Sequence, residues 1–469
     1  MKRRTFVQSS LALGVGTALG TLSGCGSGGN APQSPLTYTP GQKMPWINWA
    51  GNQSCTPSWR SAPASEDELV SALKSAKGVV RAVGAGHSFS GVVPTDDTLI
   101  STDLLSGLVR HDSEKIQATL QAGTRLHDMG PLLHSIGQSV PNMPDMDYPA
   151  LGGAIANSVH ATGTDFGSMS SYVTDMKLAT VSGELLDCSA EKNSAIFQAA
   201  RTSIGALGIM SEITLQNLPS YQLTEVNKVE QREDVFAEMD TRCRAHRHFE
   251  CFPIPYSSLC ITVATDIAKD SDKTVGEDDP QAINTLRTVF DSVSWVPVVG
   301  EALYDKILTV AMADSAELVR TGPAYKVFPH IRMVRFREME YTVPAEAGPA
   351  CVQEILTTIK DKKIPLCFPM EYRYVKADDI WLSMFEGHDG CSISVHQFGD
   401  TDYKAVFAEI EPIFWKYEGR PHWGKIHTLE AEQLAQLYPR HWQDFQEVRR
   451  ELDPQGRLMN AHLKTLFGA

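Results

Sequence analysis

Two charged residues two positions apart carry the most specific chemistry in this chain. Met370-Glu371-Tyr372-Arg373-Tyr374-Val375 reads as a strand, and period two puts Glu371 and Arg373 on one face with Tyr372 and Tyr374 opposite. An adjacent carboxylate and guanidinium grip a polyol through charge-assisted hydrogen bonds. On a solvated strand the same pair is an ordinary surface ion pair. Cys391 to Phe398 alternates in the same way and places Ser392, Ser394 and His396 on one face, a pattern that suits a sugar site or a solvated edge. A third feature is the loop Gly84-Ala85-Gly86-His87-Ser88-Phe89-Ser90-Gly91. Glycines there let backbone N–H groups approach an anion. Phe89 occupies the third glycine position of the dinucleotide fingerprint, and no Gly-Lys-Ser/Thr follows. His87 is the unusual member, since nothing local requires an imidazole.

Metal chemistry has weaker support. His422 and His427 are five residues apart and do not share a helical face. Cys243, His246, His248, Cys251 and Cys260 cluster, but their spacing fits no standard zinc finger, so no metal is assigned.

The elements that must position these groups are legible in outline. Glu66 to Lys77 is helical, with Leu69, Val70, Leu73 and Ala76 on one face. Val79 to Val83 is a strand feeding the glycine loop, and Val173–Thr180 pairs across Ser182-Gly183 with Glu184–Asp187 as a hairpin. Ile331 to Val343 reads as a strand. Tyr403 to Tyr417 reads as an amphipathic core helix, with Val406, Ile410, Ile413 and Tyr417 on its stripe. The 469 residues suffice for two or more domains. A composition of 42% hydrophobic and 21% charged residues excludes a disordered polymer. The net charge of −14, without a long basic block, argues against nucleic acid as a partner. Nine cysteines are too dilute for a disulfide scaffold.

Residues 1–24 read as an address label. Lys2, Arg3 and Arg4 precede an apolar run, Leu11 to Leu22, that is too short to span a bilayer. Arg3-Arg4-Thr5-Phe6-Val7 resembles a twin-arginine export signal. Leu22-Ser23-Gly24-Cys25 resembles a lipobox, which makes Cys25 the acylated mature N-terminus of a periplasmic or cell-envelope protein. An ordinary secretory peptide is the other reading. Residues 25–42 then form a flexible tether rich in Gly, Ser, Pro and Asn.

Asn48-Trp49-Ala50-Gly51-Asn52, Pro63 to Leu69 and the loop Gly84 to Ser90 together resemble the vanillyl-alcohol-oxidase flavoprotein superfamily, in its sugar-1,4-lactone and alditol oxidase branch. Further matches are Pro141-Asn142-Met143, Leu151 to Thr164, Arg201 to Ile209 and Gly419-Arg420-Pro421-His422-Trp423-Gly424-Lys425. The resemblance implies an α+β fold with a PCMH-type FAD-binding domain over 43–217. A substrate cap then spans 218–429, and 430–469 returns to the FAD domain. It implies FAD held by Gly84, Ala85, Gly86, His87, Ser88 and Phe89, by Asp145, by Gly153, Ala154, Ile155, Ala156, Asn157 and His160, and by Ile209 and Lys425. His87 matches the histidine that bonds covalently to the flavin. It also implies catalysis by Glu371, Arg373 and Lys425, with Asp145, Ser394 and His396 facing substrate. The reaction implied is oxidation of a CH–OH group by hydride transfer to flavin, with oxygen or a periplasmic electron carrier as acceptor. Pro144 and Asp145 depart from the small residues and serine of alditol oxidases, which favours an aldonolactone over a simple polyol. An alditol oxidase and a non-catalytic, lipid-anchored sugar-binding relative are the alternatives.

Overall fold

A computed structural model describes residues 44–275, 281–295, 300–312, 317–330 and 334–469. The export signal at 1–24 and the tether at 25–42 lie outside the described residues. Helix α1 (Glu66–Ser75) begins where the Ser65 side chain accepts the Glu68 N–H, and it buries Leu69, Ala72 and Leu73. They pack beside β1 (Trp59–Ser61), β2 (Val80–Val83) and β3 (Thr98–Ser101), a parallel sheet in the order β1-β3-β2. The glycine loop leaves the end of β2. Buried Arg81 on that strand donates to the carbonyls of Val92, Ile204, Gly205 and Leu458. One guanidinium therefore joins the loop, the 203–208 turn and the C-terminal segment.

A second, antiparallel sheet contains β4 (Leu108–Asp112), β5 (Gln117–Gln121), β6 (Val173–Ala179), β7 (Leu185–Ser189) and β8 (Ile209–Gln216) in the order β7-β6-β8-β5-β4. β6 and β7 are the hairpin read from the sequence, and Gly183 turns it with φ of +81°. The short helix α2 (Leu151–Ala156) follows β5 and brings the small residues 152–156 to the centre of the molecule.

The largest sheet positions the chemistry. It has eight antiparallel strands: β9 (Gln222–Gln231), β10 (His248–Pro253), β11 (Leu259–Ile267), β12 (Leu318–Pro323), β13 (Phe336–Pro344), β14 (Glu371–Val375), β15 (Gly390–Phe398) and β16 (Arg420–Pro421). Their order is β12-β9-β11-β10-β14-β15-β13-β16. β13 begins at Phe336 rather than Ile331, and residues 331–333 lie outside the described residues. One face is apolar. Met339, Tyr341, Tyr372, Ile393 and Val395 pack there with Val352, Ile355 and Ile359 of α3 (Gly348–Asp361) and Ile410 and Phe414 of α4 (Tyr403–Lys416). Each such side chain contributes about 1.5–3 kcal/mol of burial, and that burial holds flat a sheet whose other face is charged. β15 is buried along its whole length, so the polar alternation of residues 392–396 faces inward.

The cysteines and histidines that could have drawn a zinc site are dispersed in other roles. His246 bonds Asp266, His248 bonds the Thr162 carbonyl, and Cys243, Cys251 and Cys260 are buried free thiols.

Candidate active site

A cavity of about 490 Å³ lies between the charged face of the large sheet and the glycine loop. Gly84, Ala85, Gly86, His87, Ser88, Phe89, Asp145, Gly153, Ala154, Ala156, Asn157, His160 and Ile209 line it, as do Glu371, Arg373, His396 and Lys425. Residues more than 340 positions apart in the chain, Gly84 and Lys425, thus share one chamber. Two expected members are not on its wall. Ile155 points away from the chamber because α2 turns its side chain into the apolar core, and its carbonyl accepts the Ser170 hydroxyl. Ser394 is fully buried between Glu340 and Glu371, its partners in register, and its hydroxyl finds no hydrogen bond among the described residues.

Register explains why the charges meet. Antiparallel partners lie side by side on one face, and one row reads Thr342, Ser392, Arg373, Glu250, Val263, Asn227, Leu318. The next row holds Glu340, Ser394 and Glu371, and the one beyond pairs Glu338 with His396. Arg373 approaches Glu371 at 2.9 Å, Glu340 at 3.3 Å and Glu250 at 4.0 Å. Burial opposes its charge, but those carboxylates outweigh burial and raise its pKa. Lys425 pairs with Glu338, lies 4.0 Å from Glu340 and sits over the Phe89 ring at 5.1 Å. Burial pushes Glu338 up, yet Lys425 and His396 more than offset this and hold it at about 2. Glu340 is likewise held well below the carboxylate range, because Arg373, His160 and His422 outweigh its burial.

The histidines are fixed just as firmly. His160 Nε2 lies 2.6 Å from Glu340, while Nδ1 faces the Ala161 carbonyl at 2.9 Å. His422 Nδ1 accepts the Gly424 N–H, and burial lowers its pKa to about 3. His396 Nδ1 faces the Pro369 carbonyl, leaving Nε2 towards Glu338 at 3.6 Å and Glu371 at 3.9 Å. The turn carrying Lys425 is tied to the glycine loop by the Phe89 N–H, which donates to the Gly424 carbonyl, and by the Ser90 hydroxyl, which donates to the Trp423 carbonyl.

The other wall fits a flat ring and a pyrophosphate. A Cβ added at Gly153 would meet no atom within 4 Å, so that backbone faces the open cavity. Gly86 has φ of +67°, a left-handed conformation that glycine adopts without strain. Asn157 Oδ1 is buried on this wall without a hydrogen-bond partner among the described residues. His87 stacks against Trp49 at 5.2 Å and Tyr148 at 5.9 Å. Burial, with Lys425 and Arg125 nearby, lowers its pKa to about 4, so the imidazole is neutral at pH 7.

Known proteins agree with this geometry. A model of the FAD binding domain matches residues 57–189, and a model of D-arabinono-1,4-lactone oxidase matches residues 213–466. The chain belongs to the D-arabinono-1,4-lactone oxidase family. Among members and relatives, it is 33% identical to an L-gulono-1,4-lactone dehydrogenase of Mycobacterium tuberculosis, over 90% of this chain and 99% of that one. It is 26% identical to an alditol oxidase of a Streptomyces species, over 90% and 98%. A solved solvent-stable cholesterol oxidase superposes with a TM-score of 0.75 at 20% identity, covering 91% of this chain and 98% of that one, a likeness of fold alone. As a member of this family the protein is an FAD-dependent oxidoreductase acting on CH–OH donors, with an α+β, PCMH-type architecture.

Reading the sequence missed Glu250, Glu338, Glu340 and Trp49. The alternation Phe336-Arg337-Glu338-Met339-Glu340 carried a signal, since two acidic residues at period two amid buried neighbours are costly unless paired. Glu250 carried none, because only strand register places it beside Arg373.

Proposed function

We propose that the protein oxidises a sugar-derived 1,4-lactone. The single observation that carries this reading is the buried cluster of Glu371, Arg373, Lys425 and His396, which meets the glycine-loop wall inside one cavity. When bound, FAD supplies the two-electron acceptor for the CH–OH hydrogen. Arg373 and Glu371 hold the reacting hydroxyl, the guanidinium donating and the carboxylate accepting. Lys425, held in place by Glu338, presents a positive charge to the same point. His396 closes the polar side, and Asp145 borders both substrate and cofactor. Buried, fixed charges act at full strength here because they need no reorganisation as the bond breaks. Gly84 to Phe89, Gly153, Ala154, Ala156, Asn157, His160 and Ile209 hold the cofactor, with the segment before 217 and the C-terminal 430–469 forming its domain and 218–429 the cap.

His87 carries the flavin covalently in this reading. What supports it is a neutral imidazole on the cavity wall, stacked between two aromatic rings. Forming that bond would break the imidazole N–H and one C–H of the flavin methyl, a two-electron oxidation whose electrons and two protons would pass to the enzyme's own acceptor. Oxygen or a respiratory carrier serves as that acceptor. The twin-arginine and lipobox patterns support export and anchoring through Cys25, where a tethered flavin cannot be lost.

The test is turnover of L-gulono- and D-arabinono-1,4-lactone with a dye and with oxygen, alongside acid precipitation of the purified protein. Turnover and a yellow pellet are expected. No turnover of any lactone overturns the substrate reading, and yellow colour in the acid supernatant overturns the attachment at His87.

A further inference from the structure

Glu250 has no part in the mechanism above, yet its side chain lines the cavity. It stands directly opposite Arg373 in strand register, with 13% of its side chain open to the chamber. No hydrogen bond reaches its carboxyl from the described residues. Among the described residues its ion-pair partner is the Arg373 guanidinium, 4.0 Å away, already engaged by Glu371 and Glu340. One guanidinium cannot keep three adjacent buried carboxyls ionised. The most distant of the three keeps its proton and becomes a hydrogen-bond donor.

Its place in the row gives that donor a purpose. Beyond Glu250 lie Val263 and, in the flanking row, Phe252 and Ile261, all lining the cavity. Glu250 thus stands where the row passes from the charged centre of this face to an apolar patch of Val263, Phe252 and Ile261. We propose that Glu250 is a specificity-determining residue whose neutral carboxyl donates a hydrogen bond to the carbonyl oxygen of the bound lactone. This rests on the lactone reading above. An open-chain alditol has no carbonyl there and gains nothing from the contact, so Glu250 sets the preference between the two substrate classes.

The charged groups around Glu250 are Arg373 and Glu371 of β14, Asp145 of the segment before α2, and Glu225 of β9. β11 contributes the apolar Val263. Burial is the main cause of its displaced titration, at about 8; Arg373 opposes that rise while the three acids add to it. The donor is therefore present below about pH 8 and lost above it.

The experiment measures kcat/KM of the holoenzyme, with a dye acceptor, for L-gulono-1,4-lactone and for the matching alditol in wild type, Glu250→Gln and Glu250→Leu. Flavin absorbance confirms that each variant is loaded. Glu250→Leu should lose about tenfold on the lactone and less than twofold on the alditol, the scale of one missing hydrogen bond. Glu250→Gln, which keeps a neutral donor, should retain the lactone preference. Wild-type preference should fall as pH rises past about 8, while that of Glu250→Gln stays level. Equal losses on both substrates, no loss on either, or a Gln variant that behaves like Leu would each overturn the assignment. A wild type that oxidises neither compound refutes the lactone reading itself, and the assignment falls with it; failure confined to the variants refutes only Glu250.

Discussion

Replacing Lys425 by Met removes the main charge that keeps Glu338 ionised. Glu338 is 4% exposed at its side chain and sits at about 2 against an ordinary 4.5. A displacement of that size, at ~1.4 kcal/mol per pH unit, is worth about 3 kcal/mol at neutral pH. The figure agrees with the roughly 3–5 kcal/mol lost when one partner of a buried pair is removed. At roughly 1–2 °C per kcal/mol for a long chain, Tm should fall by about 3–6 °C. A depressed carboxylate stabilises the fold fully above pH 4.5 and ceases to do so only as pH falls through about 2, so this group leaves the wild type level between pH 7 and 5. In Lys425→Met, burial pushes Glu338 up with only His396 against it. Protonation on folding then relieves the variant as pH drops, and the gap to wild type should narrow. The double variant Lys425→Met/Glu338→Gln should recover most of the lost stability at pH 7, since no charge is left stranded. Thermal unfolding at equal flavin content, at pH 7 and pH 5, reads all three. A double variant no more stable than Lys425→Met, with a gap that does not change with pH, would refute the pairing.

Arg373→Ala should keep its flavin but lose about 10²–10³ in the rate of anaerobic flavin reduction by lactone, the cost of deleting a fixed charge at the reacting group; an unchanged rate removes Arg373 from the chemistry. Gly153→Val should leave apoprotein stability within about 0.5 kcal/mol, because its new side chain meets open space, yet abolish flavin loading; a yellow, loaded Gly153→Val would move the cofactor off this wall. Cys25→Ala should shift the protein from the membrane fraction to the soluble envelope fraction, and unchanged partitioning would remove the lipid anchor.

Much of the architecture was legible because it rests on local rules. The helical period of Leu69 and Leu73 marks α1, Ser182-Gly183 turns a hairpin, and Glu371 and Arg373 share a pleat because side chains alternate along a strand. The site was legible only where chemistry is concentrated in sequence, as at the glycine loop and the Glu-x-Arg strand. What stayed hidden depends on pairing between distant strands. Glu250 precedes Arg373 by 123 positions and faces it only because β10 and β14 are neighbours. Ile155 shows the converse error. A run of small residues marks a cofactor wall, but a six-residue helix presents only part of its circumference to that wall, and period two or proximity in sequence does not say which part.

The charges in the cavity also restrict what it can hold. Glu250, Glu338, Glu340 and Glu371 face two permanent cations, Arg373 and Lys425, and Asp145 lies on the same wall. Even with Glu250 neutral, three carboxylates confront two cations among the described residues of this sheet face, which leaves no positive charge there to spare for an anionic substrate. A lactone is neutral, whereas the aldonate formed by its hydrolysis carries a carboxylate that would lie among like charges in a low-dielectric pocket, where repulsion is costly. In the proposed reading, the arrangement that fixes Arg373 and Lys425 would thereby select the closed ring over the opened acid. Fixing the cations and excluding the anion are one electrostatic requirement, met by a single sheet face whose neighbouring strands are charged and whose reverse is buried against α3 and α4.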